Sequence, residues 1–216
     1  MFYRIVTIFF SFILFTNCNF NGIRGNGKIV KEERNVSEFN KIDIAGKFDV
    51  QVDVGKQTKI IVIAEKNLLK YIKVKVKKNN LIIYTKGNIH PVKDMKIKID
   101  TPNLNSVECS GANDLEIKHV NSEKFFIDLS GAGNIKIEGK TRKLFIDISG
   151  AADLVAKELL AENVRINISG AANAEIYSSK SLEADLSGVS SVKLYGNAKN
   201  IKKDISGVAT FTKVKN

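Results

Sequence analysis

The chain of 216 residues contains no tryptophan, two histidines and two cysteines, and only 8% of it is aromatic. Each scarcity narrows the field. Few aromatic platforms and no tryptophan argue against a polysaccharide-processing enzyme. His90 and His119 occur singly, outside any repeating pattern, so no recurrent general base stands beside a recurrent nucleophile. Cys18 falls at the end of an apolar leader, which leaves Cys109 without a partner and argues against a disulfide framework as the organising device. No long amphipathic helix is visible; "AKELLAENV", Ala156 to Val164, is the one helix-like run. The net charge is +11, but it is unevenly spread. Between Lys56 and Lys98 twelve lysines stand against Glu65 and Asp94, a net of +10. A uniformly basic nucleic-acid binder would not look like this. Neither a nucleic-acid partner nor a cofactor is expected.

What is present begins with the leader. "MFYRIVTIFFSFILFTNC" has one basic residue, Arg4, then an apolar run from Ile5 to Phe15. That is a short secretory h-region, too short for a membrane span. The closing "LFTNC" resembles a bacterial lipoprotein signal, with Cys18 as the lipidated residue. Asn17, before the cysteine, departs from the small residue of the strict pattern. An ordinary signal peptide with a chance cysteine is the alternative. Residues 19–38 follow as a Gly/Asn-rich stretch that reads as a flexible tether. Their G-x-x-G-x-G spacing follows no strand, so it is not a phosphate loop.

A repeat organises the remainder. Ser-Gly recurs at Ser110, Ser130, Ser149, Ser169, Ser187 and Ser206, at spacings of 20, 19, 20, 18 and 19 residues. Before each serine stands an apolar residue: Cys109, Leu129, Ile148, Ile168, Leu186 and Ile205. Before that comes a polar column: Glu108, Asp128, Asp147, Asn167, Asp185 and Asp204. A further apolar column holds Val107, Ile127, Ile146, Ile166 and Ala184, broken by Lys203. A second alternating run follows each glycine. Period-two alternation on both sides of a fixed corner describes strand, corner, strand. "KIDIAGKFDVQV", Lys41 to Val52, fits the same frame with Ala45 in place of serine.

One such unit cannot bury its own apolar face, but stacked units can. The expected fold is all-β: a flattened, right-handed parallel β-solenoid of about 19 residues per coil. Residues 101–216 carry the solenoid repeats. Residues 39–100 form an N-terminal β section that caps or extends it. There "YIKVKVKKNNLIIYTKG" reads as a hairpin turning at Asn79-Asn80, with a lysine-lined outer face. Lys203 and Lys213 at otherwise apolar columns suggest a polar terminus that blunts the open end.

The "DLSGAGNIKI" and "DISGAADLVA" copies, with the "FNKIDIAGKFDVQV" start, resemble the bacterial head GIN domain family of auto-transporter adhesins. The likeness covers about Phe39 to Val214. It implies a pectin-lyase-like β-helix, an envelope location and an adhesive role. It supplies no catalytic residues.

Three sets of residues are candidates for function. The serines recur once per coil, whereas a catalytic residue is needed once; they read as corner residues beside a conformationally free glycine. Asp128, Asp147, Asp185 and Asp204 project outward as a ladder that could recruit Ca²⁺, or be solvated, bond turn amides or pair with nearby lysines. Lys73, Lys75, Lys77 and Lys78 could meet anionic lipids, acidic glycans or an acidic partner, or serve as edge protection. The expectation is a non-catalytic binding or adhesion module of the bacterial envelope. It is anchored through Cys18 at the outer membrane or cell surface, with envelope or host glycans or proteins as partners and self-association left open. A polysaccharide-processing enzyme or a purely structural component on the same scaffold are the alternatives.

Overall fold

A computed structural model describes residues 22–214. The leader and Cys18 lie outside the described residues. The first strands are β1 (Ile23–Arg24), β2 (Ile29–Arg34), β3 (Lys41–Gly46), β4 (Asp49–Val54) and β5 (Lys59–Glu65). There follow β6 (Ile72–Lys77), β7 (Asn80–Thr85), β8 (Ile89–His90), β9 (Lys96–Thr101) and β10 (Ser106–Gly111). The long coil strands are β11 (Asp114–Leu129), β12 (Ala132–Ile148), β13 (Ala151–Ile168) and β14 (Ala171–Leu186). The chain closes with β15 (Val189–Tyr195), β16 (Asn200–Ile205) and β17 (Val208–Lys213).

The protein is a parallel β-solenoid. On the face before the corner, Ile42, Val107, Ile127, Ile146, Ile166, Ala184 and Lys203 lie in one hydrogen-bonded register. On the face after it, Val50, Leu115, Ile135, Leu154, Ala174, Val192 and Phe211 do the same. All but Lys203 and Phe211 are buried, so the two columns meet as one continuous core. Alternation of side chains across each strand puts the polar columns outside.

The corners explain the glycines. A Cβ on Gly111, Gly131, Gly150 or Gly170 would stand 1.9–2.2 Å from the carbonyl oxygen of the glycine one coil below. Only glycine lets backbones stack that closely. The serines contribute their backbone: Ser130 N donates to Cys109 O at 3.0 Å, and Ser149 N to Leu129 O at 2.9 Å. Only Ser110 and Ser187 also use the hydroxyl, donating to Ile44 and Ile168 carbonyls.

Each long strand bends as it returns. His119 at φ 61° and Gly139 at φ 137° mark the bends in β11 and β12. Beyond them a short run stacks coil on coil, with Ser122, Thr141, Ala161 and Ser178 in line. Thr141, Ala161 and Ser178 are buried there. The helix-like run Ala156 to Val164 belongs to β13. Its Leu159 and Ala161 are buried over Gly139 and Thr141, so stacking overrides local helix preference.

The stack is not built in chain order. β7 pairs in parallel with β3, and β9 with β4, so the coil made by β7 and β9 lies beneath the earlier one. β10 then returns to pair on the other edge of β3. Antiparallel strands close the lower end: β6 on β7, and β5 on β9 followed by β2. Residues 29–34, read from sequence as tether, thus form the outermost strand, because Val30 packs on the core and the backbone completes the β5 edge. The β6–β7 turn falls at Lys78-Asn79, one residue earlier than expected, since both adopt left-handed φ of 51° and 59°. That is the geometry of a two-residue hairpin turn. At the upper end Val208 is 76% exposed, and the Lys203 ammonium lies 5.1 Å from the Phe211 ring centre.

Glu65 ties the incoming chain to this cap. It is fully buried and accepts backbone N–H bonds from Gly27, from Val92 at 2.8 Å and from Lys93 at 3.3 Å. Burial opposes its charge, yet the donated N–H groups hold the carboxyl below its ordinary range. A lowered folded value contributes stability above the unfolded value, lost as pH falls through the folded one. Glu65→Gln should therefore cost about 2 kcal/mol near neutral pH and flatten the acid limb of a urea-denaturation pH series. Gly150→Ala should cost at least about 2 kcal/mol, while Ser149→Ala should shift stability by less than about 0.5 kcal/mol; equal losses in thermal melts would contradict the assignment of the corner to glycine.

Candidate functional site

The face before the corner carries the predicted acidic column. Asp43, Glu108, Asp128, Asp147, Asn167, Asp185 and Asp204 stand in register. Asn167 interrupts the carboxylates, and its amide donates to Asp147 Oδ1 at 2.7 Å. The face after the corner uses the same device: Asn134 donates to Asp114, and Asn173 to Asp153, both at 2.8 Å. Amides therefore relieve a repulsion that an unbroken column of carboxylates would create. Where no amide intervenes the strain is visible. Burial, then the charges of Asp43 and Asp128, raise Glu108 above its ordinary value. Among the described residues no three His, Cys, Asp or Glu side chains gather as a metal-binding cluster. The structure spreads Asp128, Asp147, Asp185 and Asp204 along the ladder rather than bringing them to one point.

The same column enfolds Cys109, a free thiol only 4% exposed. Burial, with nearby Asp43, Glu108 and Asp128, pushes it up to about 12, which makes it an unreactive core residue. His119 Nδ1 lies 2.7 Å from Asp53 Oδ1 at an exposed bend and meets none of the corner serines.

The predicted lysine face lies on β6, the last strand at the capped end. Lys73, Lys75 and Lys77 point outward while Val74 and Val76 pack on the core. Lys78 sits in the hairpin turn. From Lys66 to Lys86 there are seven lysines and no acidic residue. None takes part in the ion pairs found among the described residues. Higher in the stack lysines are matched across coils, as Lys157 and Lys193 are to Glu175 and Lys202 is to Glu183.

One feature is absent from the sequence reading. Phe126 and Phe145 stack on the outer surface with ring centres 4.8 Å apart and planes 9° apart. Phe126 is 43% exposed. Open grooves of about 810 and 600 Å³ both take Phe145 into their walls, and Phe126 lines the smaller one. The signal lay in a repeated K-x-F-x-D, at Lys124-Phe126-Asp128 and Lys143-Phe145-Asp147. All three pairs stand in register on adjacent coils.

The alternation of amide and carboxylate is testable. Asn167→Asp places a carboxylate between Asp147 and Asp185 and removes one hydrogen bond. It should cost about 1 kcal/mol at neutral pH. The added group has a raised folded value, so its penalty should fade as pH drops through the carboxylate range. Equal losses at pH 3 and pH 7, read by chemical denaturation, would contradict the electrostatic account.

Solved structures share this architecture. A protein from Bacteroides fragilis NCTC 9343 described as a "putative adhesin" has a TM-score of 0.73 at 24% identity, covering 89% of this chain and 100% of that one. Another so described, from Parabacteroides merdae ATCC 43184, has a TM-score of 0.61 at 18% identity, covering 90% and 99%. A "putative lipid binding protein" from Parabacteroides distasonis ATCC 8503 has a TM-score of 0.56 at 20% identity, covering 89% and 99%. At these identities the likeness concerns the fold. No functionally curated protein matches the chain. The family model described as "Putative auto-transporter adhesin, head GIN domain" matches residues 38–198, and the chain belongs to that family.

Proposed function

We propose that this protein is a non-catalytic binding module of the bacterial cell envelope, held to a membrane by a lipid on Cys18, with its lysine-rich cap turned toward anionic headgroups. One observation carries the reading: the incoming chain and the unpaired lysines share one end of the stack. Gly25 and Gly27 bond to the cap beside β8 and Glu65. Gly22 is four residue steps from Cys18, a reach of at most about 14 Å. A lipid on Cys18 would therefore hold the capped end against the bilayer and leave the upper coils free. Each lysine near an anionic surface adds about 1 kcal/mol of attraction to that of the lipid anchor. The two signals complement each other.

A polysaccharide-processing enzyme on this scaffold needs a distinguished pair of acids in a cleft. The ladder offers equivalent carboxylates at each level instead, which favours binding over catalysis.

Metabolic labelling with a clickable fatty acid should mark the chain in cells, and Cys18→Ala should lose both label and membrane retention. Replacing Lys73, Lys75, Lys77 and Lys78 together by glutamate should weaken sedimentation with phosphatidylglycerol vesicles at least about tenfold and leave phosphatidylcholine vesicles unaffected. Vesicle binding insensitive to both salt and charge reversal would sink the headgroup contact.

A further inference from the structure

We infer that the stacked Phe126–Phe145 pair is the centre of a saccharide-binding site selective for acidic sugars, those whose pyranose ring bears a carboxylate. The inference rests on the reading of the protein as a binding module and names the ligand class that module takes.

The outward surface of a solenoid strand is normally polar, and this column is polar elsewhere. In line with the two phenylalanines stand Ser106, Arg165, Glu183 and Lys202. Phe39, Phe48 and Phe125 are buried in the core, so these two have been left outside it. Their near-parallel rings stack face to face and cover each other's inner faces, so the pair is an apolar block two coils tall that borders both grooves. The negatively polarised uncovered ring face of Phe145, beside the larger groove, suits the weakly positive C–H face of a pyranose.

The flanks supply the polar contacts that a sugar also needs. Two residues along each strand, about 7 Å away, stand Lys124 and Lys143 on one side and Asp128 and Asp147 on the other. Among the described residues neither lysine is in an ion pair, so both can meet an external anion. Asp128 and Asp147 can accept hydrogen bonds from sugar hydroxyls. The larger groove is cationic, with Lys143, Arg165, Lys199 and Lys202 against Glu183 alone, whereas the smaller sets Glu108, Glu123, Asp128 and Asp147 against Lys41 and Lys124, so an acidic sugar belongs on the larger groove's side of the pair. A uronic acid ring seated on the phenylalanines would direct its carboxylate toward the lysines and its hydroxyls toward the aspartates. A second residue of the same chain could run along the larger groove toward Arg165. A neutral sugar would leave the lysines unanswered, and a basic one would be repelled by them.

The test is calorimetric titration of the full chain, in detergent micelles, with oligogalacturonates and with maltohexaose as the neutral comparator. Oligogalacturonate should bind, more weakly at high salt, and maltohexaose should bind at least about tenfold less tightly. Phe126→Ala with Phe145→Ala should weaken oligogalacturonate binding at least about tenfold. Lys124→Gln with Lys143→Gln should remove the preference for the acidic sugar. This second pair keeps the proposal falsifiable should the alanine variant fail to fold. Absence of oligogalacturonate binding, binding indifferent to both variants, or capture of proteins alone would overturn the inference. Vesicle sedimentation of the same variants separates the two readings. A chain that fails to bind sugar yet sediments normally refutes the saccharide site and leaves the membrane-facing cap standing.

Discussion

The fold depends on vertical register. Each coil sits one strand spacing above the last, and every backbone amide on a face bonds the coil below or above. The register shifts at the bends of the long strands but is strict at the corners. If one corner needs glycine because the next carbonyl is about 2 Å from where a Cβ would be, every corner above it needs glycine too. The same stacking turns each outward position into a ladder of like residues. The chain must then manage what a ladder of like charges costs, and it does so by alternating Asp with Asn at Asp114–Asn134, Asp147–Asn167 and Asp153–Asn173.

That rigidity is why so much was legible in the sequence. The columns through Ile127 and Asp128 were read from spacing alone, and they recur as hydrogen-bonded partners. Legibility failed where no repeat enforced it. Nothing in the alternation of β7 and β9 says that they lie beneath β3 and β4, since period two fixes which face is buried and not which strand is next. β2 looked like tether because its Gly/Asn-rich approach dominates the composition, while its order comes from the distant β5 edge and from Glu65. The run from Ala156 to Val164 has helix-forming residues, but burial of Leu159 and Ala161 in the stack decides its state. Phe126 and Phe145 went unremarked because two copies of a motif are easily lost among six.

Charge is sorted along the axis and, at the capped end, between faces, where β2 and β5 carry matched pairs and β6 carries lysines alone. In the upper coils, opposite charges on adjacent rungs meet one another, as Lys180 meets Glu162 and Lys157 meets Glu175. The lysines from Lys66 to Lys86 have no such partners among the described residues, and Glu65, just before that run, is consumed by backbone amides. Edge protection accounts for lysines on an outermost strand. It accounts less well for Lys66, Lys70 and Lys86, which lie outside β6 yet add to the same field. A surface potential concentrated at the end where the chain enters is what a molecule standing upright on an anionic surface requires.

A regular solenoid presents the same chemistry at every level, and sameness is a poor basis for recognition. Information resides in the departures. Across successive coils the outward triplet reads Lys124-Phe126-Asp128, Lys143-Phe145-Asp147, Asn163-Arg165-Asn167, Ser181-Glu183-Asp185 and Asn200-Lys202-Asp204. The third position barely changes, as an architectural column should not. The second changes from aromatic to cation to anion to cation, although stacking constrains it equally. The middle column is therefore free of the demands of the fold, and its two outward-facing aromatics lie where the fold gives no reason to put them. A position that architecture leaves open and composition leaves apolar is the place where binding can have shaped the chain.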